Sequence, residues 1–328
     1  MKTLINKEIP RRVADILSFL AFAILFVAVQ SCTDESEPVN FDYQTLYPNA
    51  QLSMTLADYY EDGSNDLTVE IYDPVDNRDE LRPLILLTHG GGLVKRTQVD
   101  QIKSLAQNLA KRGYVTGYFT YSTLGQTPAG WVRSVVDAKV VVKYFKKHAQ
   151  KFRIDPYNIF TGGWSNGAHT SLNAAHMSLD DLEQLNQPYL KQLLVPEVEK
   201  QGFEGKTHMD YSPDVKGTLL MLPYTKDVNI LDENGPAVMM VASQKQQFTG
   251  GQILWDTVYE AGTYTYGPDL MEKRLLEVGY KEGQDCELIV VPEDCCGDMH
   301  PNESIMEAIL TSESYKNDIA GFFSNNLN

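Results

Sequence analysis

Strands and helices alternate along this chain almost without interruption, and that alternation restricts the possible folds more than any other feature. Residues 83–88 (Pro-Leu-Ile-Leu-Leu-Thr) form a nearly continuous apolar run, the pattern of a strand buried on both faces. Residues 98–112 follow with helical spacing at Ile102, Leu105, Leu109 and Ala110. A strand at 114–121 and a helix at 131–148 repeat the unit, with Val135, Ala138, Val142 and Phe145 on one helix face. Ile154-Asp155-Pro156 turns the chain into a short strand at 157–160, and a helical pattern runs from 170 to 176. The rhythm resumes with strands at 215–223, 237–242 and 286–291 and helices at 269–278 and 305–323. Parallel strands need crossover helices, so this order predicts an α/β fold with a mostly parallel central sheet flanked by helices on both faces. Extended runs at 53–60 and 67–72, separated by Glu61-Asp62-Gly63-Ser64-Asn65-Asp66, predict a β-hairpin that opens the domain. Residues 177–210 lose the alternation and become polar and partly helical, which reads as a cap-like insertion over a sheet edge.

Two glycine-rich turns fall at the carboxyl ends of predicted strands. The first is Thr161-Gly162-Gly163-Trp164-Ser165-Asn166-Gly167-Ala168-His169, which sets Ser165 at a strand-to-helix junction. In a Gly-x-Ser-x-Gly elbow the serine occupies a strained turn that lifts its hydroxyl out of the sheet, and glycines flank it because a Cβ there would strike backbone. The turn also aims N–H groups and the positive end of the next helix at the place where an oxyanion forms. The second turn is His89-Gly90-Gly91-Gly92, directly after the strand at 83–88. Glycines there let backbone N–H groups approach a ligand, as the second half of an oxyanion hole requires.

The chain has 328 residues, 43% of them hydrophobic, enough for one large domain with a substantial core. Its start differs from the rest. Lys2, Lys7, Arg11 and Arg12 precede an apolar run at 16–29, which is short for a membrane span and ends in Val29-Gln30-Ser31-Cys32. That ending resembles a bacterial lipobox, in which the cysteine receives lipid. The resemblance implies a signal peptide at 1–31, lipidation of Cys32 and a place in the bacterial envelope at the outer membrane, facing periplasm or cell surface; the acidic, apolar-poor composition predicts a flexible tether at 32–50, with the α/β domain at 51–328. The formal charge is −16, and loss of four basic and two acidic residues with the signal leaves −18. Such an anionic body repels phosphate backbones, which argues against nucleic acid as a partner. An exported chain meets oxidising conditions, so a bridge from Cys286 to Cys295 or Cys296 is expected. No Cys-x-x-Cys or His-Glu-x-x-His spacing occurs, and neither a metal nor a cofactor is expected.

With both turns in this order, the sequence from about residue 67 onward resembles the α/β-hydrolase superfamily, and within it bacterial carboxylesterases with an HGGG-type oxyanion loop. Ile154-Asp155-Pro156 resembles the family's approach to the nucleophile, Tyr211-Ser212-Pro213-Asp214-Val215-Lys216-Gly217 its lead into strand six, and Tyr266-Gly267-Pro268 with the 286–292 segment its last helix and strand. The resemblance implies Ser165 as nucleophile and the N–H groups of Asn166, Gly91 and Gly92 as the oxyanion hole. It implies His300 as the base, and elimination agrees. His89 belongs to the loop motif, His148 to a helix end, His169 and His176 to the helix after Ser165 and His208 to the insertion, while His300 follows the last strand. The acid departs from the family pattern, because no carboxylate follows the strand at 237–242 closely. Trp255-Asp256-Thr257-Val258-Tyr259 resembles the family's Asp-x-Val segment, which points to Asp256, with Asp227 and Glu260 as rivals.

The expected activity is a serine carboxylesterase with a Ser-His-Asp triad and an acyl-enzyme, acting on small-molecule or glycan esters such as acetyl or feruloyl groups on carbohydrates. Trp131, Trp164, Tyr259, Tyr264 and Tyr266 could offer sugar-stacking faces, although aromatic rings of this kind more often pack the core. Two alternatives stand beside it: a serine peptidase on the same fold, and a hydrolase-like surface protein that binds without catalysis.

Overall fold

A computed structural model of the chain describes residues 51–63, 66–75, 80–184, 188–243, 266–292 and 301–327. The strands are β1 (Leu52–Asp58), β2 (Thr68–Pro74), β3 (Arg82–Thr88), β4 (Val115–Phe119), β5 (Ile154–Trp164), β6 (Gly217–Met221), β7 (Ala237–Ser243) and β8 (Cys286–Val291). The helices longer than a single turn are α1 (Val99–Ala110), α2 (Pro128–Lys147), α3 (Asn166–His176), α4 (Leu179–Gln184), α5 (Pro188–Gln201), α6 (Pro268–Glu277), α7 (Pro301–Thr311) and α8 (Glu313–Asn325). The strands form one sheet in the order β1-β2-β4-β3-β5-β6-β7-β8. β1 and β2 are antiparallel, β2 meets β4 antiparallel, and every later pairing is parallel.

β3 shows why the alternation was decisive. Successive side chains of a strand point to opposite faces. Leu84 and Leu86 enter one core with α2 residues Val135 and Val142, while Ile85 and Leu87 enter the other with Ile102, Leu105 and Leu109 of α1. All four β3 residues are fully buried, and each contributes roughly 1.5–3 kcal/mol through that burial. The chain leaves β3 for β4 on one side and returns to β5 on the other, so the strand order reverses at β3. Ligand sites of open α/β sheets lie at such a reversal, beyond the carboxyl ends of the strands.

The structure differs from the expectations at several points, each with a local cause. α2 begins at Pro128, ahead of the apolar periodicity, because the Thr127 hydroxyl caps it by accepting the Gly130 N–H at 3.0 Å and proline suits the first helical position. β5 begins at Ile154 in place of a turn there. Ile154 pairs with Arg82, the register slips before Leu84, and the Asp155 carboxylate accepts Tyr157 N–H and Asn158 Nδ2. The single helix expected at 305–323 is two, because Ser312 leaves helical geometry and accepts the Tyr315 N–H to cap α8.

The insertion docks along α2. Lys139 bonds the Glu204 carboxylate at 2.5 Å, Lys143 Nζ donates to the Glu204 carbonyl at 2.5 Å, and Gln201 Nε2 reaches the Ala129 carbonyl. Cys286 carries a free, buried thiol whose pKa burial pushes up to about 12, so the bridge expected from it is not formed. Cys295 and Cys296 lie outside the described residues, as do residues 1–50 with Cys32. Among the described residues no helix is long and apolar enough to cross a membrane.

Candidate active site

Thr88, the last residue of β3, is paired with Gly163 of β5, so the two glycine turns leave adjacent strands at the same edge. Ser165 sits between β5 and α3 with φ 51° and ψ −112°. For a residue with a Cβ this is a sparsely populated conformation costing on the order of 1–3 kcal/mol, and it persists only where the surroundings impose it. The constraint is visible on both sides. Ser165 N–H is held by the Met221 carbonyl at 2.8 Å, and its own carbonyl accepts from His169 N–H at 3.0 Å. A Cβ on Gly167 would stand 2.4 Å from the His89 carbonyl oxygen, and one on Gly163 would stand 2.7 Å from the Gly167 carbonyl carbon. The elbow therefore lies flat against the root of the second turn.

That second turn is a closed loop. Gly90 and Thr97 exchange backbone hydrogen bonds, and the Gly91 carbonyl accepts from Val94 and Lys95 N–H at 3.1 and 3.2 Å. Gly91 and Gly92 have φ of +118° and +62°. The loop's root is fixed from below, where His89 stacks on Tyr121 with centroids 4.2 Å apart and the Tyr121 hydroxyl donates to the His89 carbonyl. A Cβ on Gly92 would come within 4.0 Å of the Asn166 side-chain oxygen, so the loop passes directly over the first residue of α3. Among the described residues no acceptor takes the N–H of Gly91 or Gly92, and first-turn N–H groups such as that of Asn166 have no intrahelical acceptor. The backbones of Gly92 and of Asn166, the residue next to Ser165, therefore lie close together.

A third loop closes the wall. Gly125 N–H donates to the Leu93 carbonyl at 2.7 Å, and this loop is held in turn by Asp137 of α2. The fully buried Asp137 carboxylate accepts Ser122 N–H at 2.8 Å, the Tyr60 hydroxyl at 2.6 Å and Arg133 Nε at 2.9 Å. Arg133 stands one turn before Asp137 on α2, but Ser122 and Tyr60 come from two other segments, so no local sequence signal marks the whole hub.

Three of the described histidines are held by hydrogen bonds to neighbouring residues. His89 Nδ1 donates to the Gly90 carbonyl, His148 Nε2 meets Glu61, and His208 Nε2 meets the Tyr59 carbonyl. His169 Nδ1 faces Trp131, and His176 lies at the far end of α3 against Gly235. His300, Asp256 and Glu260 lie outside the described residues. Asp227 is buried after β6, where its carboxylate accepts Asn229 N–H and Nδ2 and so caps a 3-10 turn. Trp164 is fully buried and offers no stacking face, whereas Trp131 lines a niche beside the elbow. A larger polar cavity of about 640 Å³ opens at the amino ends of β6 and β7, the opposite end of the sheet from Ser165.

Burial lowers the pKa of His89 to about 4 and those of His169 and His176 to about 3. In the unfolded chain an imidazole titrates near about 6.5, so below that pH the unfolded state binds more protons and stability falls with acidification down to the folded values. Thermal midpoints recorded between about pH 7 and about pH 5 should decline. His176→Leu removes one such group and should make the decline shallower; an unchanged slope would mean that His176 is not held neutral by its site.

The comparisons with known proteins agree with this architecture. The model of the BD-FAE family, an α/β-hydrolase-like esterase family, matches residues 69–201, a span that includes both glycine turns. No curated protein matches the sequence. Among solved structures, esterase 2 of Thermogutta terrifontis is similar in several forms. The form described as phosphoramylated by tabun aligns with a TM-score of 0.54 at 15% identity, covering 84% of this chain and 97% of that one. The form phosphorylated by paraoxon gives 0.53 at 14% identity, with 83% and 95% covered. The butyrate-bound form gives 0.50 at 17% identity, with 77% and 86% covered. The fold is that of the α/β-hydrolase esterases.

Proposed function

We propose that this chain is a serine carboxylesterase, lipid-anchored through Cys32 in the bacterial envelope, in which Ser165 attacks an ester carbonyl and passes through an acyl-enzyme. The observation that carries the proposal is the strained Ser165 backbone pressed against the root of a loop in which the N–H groups of Gly91 and Gly92 have no acceptor among the described residues. The tetrahedral oxyanion would lie among the N–H groups of Gly91, Gly92 and Asn166. His300 takes the serine proton and returns it to the leaving alcohol, and Asp256 orients the imidazole. The BD-FAE match over both turns and the similarity to an esterase that organophosphates modify support the same reading. Acetyl or feruloyl esters of carbohydrates are the proposed substrates, in keeping with the proposed envelope location.

Paraoxon and a fluorophosphonate probe test the reading on the wild-type chain. Each should label Ser165 in stoichiometric amount and abolish hydrolysis of short para-nitrophenyl esters. A chain that neither labels nor hydrolyses any acyl ester is not an esterase. A base must be neutral to act, so kcat/KM should fall as pH drops through about 6.5. That limb cannot arise from His89, His169 or His176, which burial keeps neutral to about pH 4 and 3. His300→Ala should remove the activity with the limb; a limb that survives in the residual rate belongs to another group.

A further inference from the structure

We propose that β1 is a docking edge for a second copy of this chain, the two β1 strands pairing antiparallel across a twofold axis so that one sheet runs through both copies. The inference is independent of the esterase reading.

β1 (Leu-Ser-Met-Thr-Leu-Ala-Asp) ends the sheet order and pairs with β2 alone. Such an edge displays unpaired backbone groups, and proteins usually blunt it with lysine, proline, a bulge or a covering segment. No lysine, arginine, proline or glycine falls within 52–58, and the register with β2 runs without a bulge from Leu52–Pro74 to Asp58–Thr68. Residues 53–56 are exposed throughout, Met54 at 64% and Leu56 at 62%. The opposite edge strand, β8, is buried or half-buried at every residue.

The register decides which groups face outward. Val75 N–H donates to the Gln51 carbonyl at 2.8 Å, so residues 51, 53, 55 and 57 form the hydrogen-bonded pairs with β2. On the far side of β2, the Thr120 N–H donates to the Thr68 carbonyl at 2.9 Å, which fixes the same phase. Leu52, Met54, Leu56 and Asp58 therefore turn their N–H and carbonyl groups away from the sheet, and among the described residues nothing takes them.

Two copies of this edge match each other. Antiparallel pairing centred on Thr55 sets Met54 opposite the partner's Leu56 and Leu52 opposite the partner's Asp58. All four outward residues then enter hydrogen-bonded pairs, whereas pairing centred on Met54 or on Leu56 leaves one of them out. The same register gathers Met54 and Leu56 with the partner's Met54 and the partner's Leu56 on one face, taking four exposed apolar side chains out of water. Asp58, the strand's one charge, falls opposite a leucine and already accepts the N–H groups of Tyr60, Glu61 and Gly63. Parallel pairing would instead set like charges side by side. A twofold pair uses both edges at once, so assembly closes at two copies.

Light scattering on the full-length chain in mild detergent should give a dimer at about 100 μM that dissociates on dilution. Added salt should strengthen it, because screening relieves the repulsion between two bodies of formal charge −16. Leu56→Pro removes an outward N–H while sparing the ladder to β2, and should weaken the dimer about tenfold; Met54→Glu, which alters no backbone group, should do the same. Cysteines read the register. Thr55 faces its own counterpart with Cα atoms about 4.5 Å apart, so Thr55→Cys should form a disulfide-linked dimer on oxidation beyond the wild-type background. Ser53→Cys, equally exposed on the same face, would lie about 14 Å from its counterpart and should not. A chain that stays monomeric at about 100 μM overturns the proposal, including one whose Met54 and Leu56 amides resist hydrogen exchange because its own chain covers the edge. So does a dimer that salt dissociates, one that neither Leu56→Pro nor Met54→Glu weakens, or one in which Ser53→Cys cross-links as well as Thr55→Cys.

Discussion

Ser165→Ala should lower ester hydrolysis by about 10⁴-fold or more and abolish organophosphate labelling, while the thermal midpoint stays close to that of the wild type. The two readouts separate because, in the proposed mechanism, the serine hydroxyl contributes to the reaction and hardly to the fold. Its backbone bonds, from Ser165 N–H to the Met221 carbonyl and from His169 N–H to the Ser165 carbonyl, do not involve the side chain. Residual turnover reflects water acting within a surviving oxyanion hole. Ser165→Gly sharpens the argument. At φ 51° and ψ −112° any Cβ is strained by on the order of 1–3 kcal/mol, whereas glycine adopts this region freely and loses about 0.4–1 kcal/mol through the greater freedom of its unfolded chain. The glycine variant should therefore be as inactive as the alanine variant yet at least as stable as the wild type by calorimetry. Retained activity in either variant means that another group is the nucleophile, and a destabilised Ser165→Gly means that the elbow is not strained.

What the sequence disclosed follows from how each feature is encoded. The β3 run is apolar at every position because both of its faces are covered, and that pattern is local. Ser165 and the 89–92 turn were legible for the same reason, since a close backbone approach demands glycine at fixed offsets. The break between α7 and α8 was hidden because apolar spacing continues across it, while the Ser312 side chain diverts the backbone. The docking of the insertion on α2 was also illegible: periodicity marks an apolar face but not its partner. The Asp137 hub joins residues up to 77 positions apart, and nothing near Asp137 announces Tyr60.

Gly167→Ala is the substitution that tests whether the two turns act as one device. The added Cβ would meet the His89 carbonyl oxygen at 2.4 Å and the Thr88 carbonyl oxygen and Cγ2 at 2.9 Å. Relief requires moving backbone, because the nearest atom is a carbonyl oxygen at the root of the 89–92 turn and not the end of a flexible side chain. Overpacking of this kind costs about 1–3 kcal/mol, which should appear as a lowered thermal midpoint. The same displacement shifts the amides of Gly91 and Gly92 relative to Ser165. Misplacing one oxyanion donor costs about 10²–10³ in rate. In the proposed mechanism those amides engage the charge that develops in the transition state, so kcat should fall while KM changes little. Gly163→Ala approaches the same contact from the other side, meeting the Gly167 carbonyl carbon at 2.7 Å and the Thr88 carbonyl oxygen at 2.9 Å, and should reproduce both effects. If either variant loses stability but keeps kcat, the 89–92 turn supports the elbow without serving the reaction, and the oxyanion donors must be sought elsewhere. If both keep stability and rate, the contact between the turns is looser than their backbones indicate.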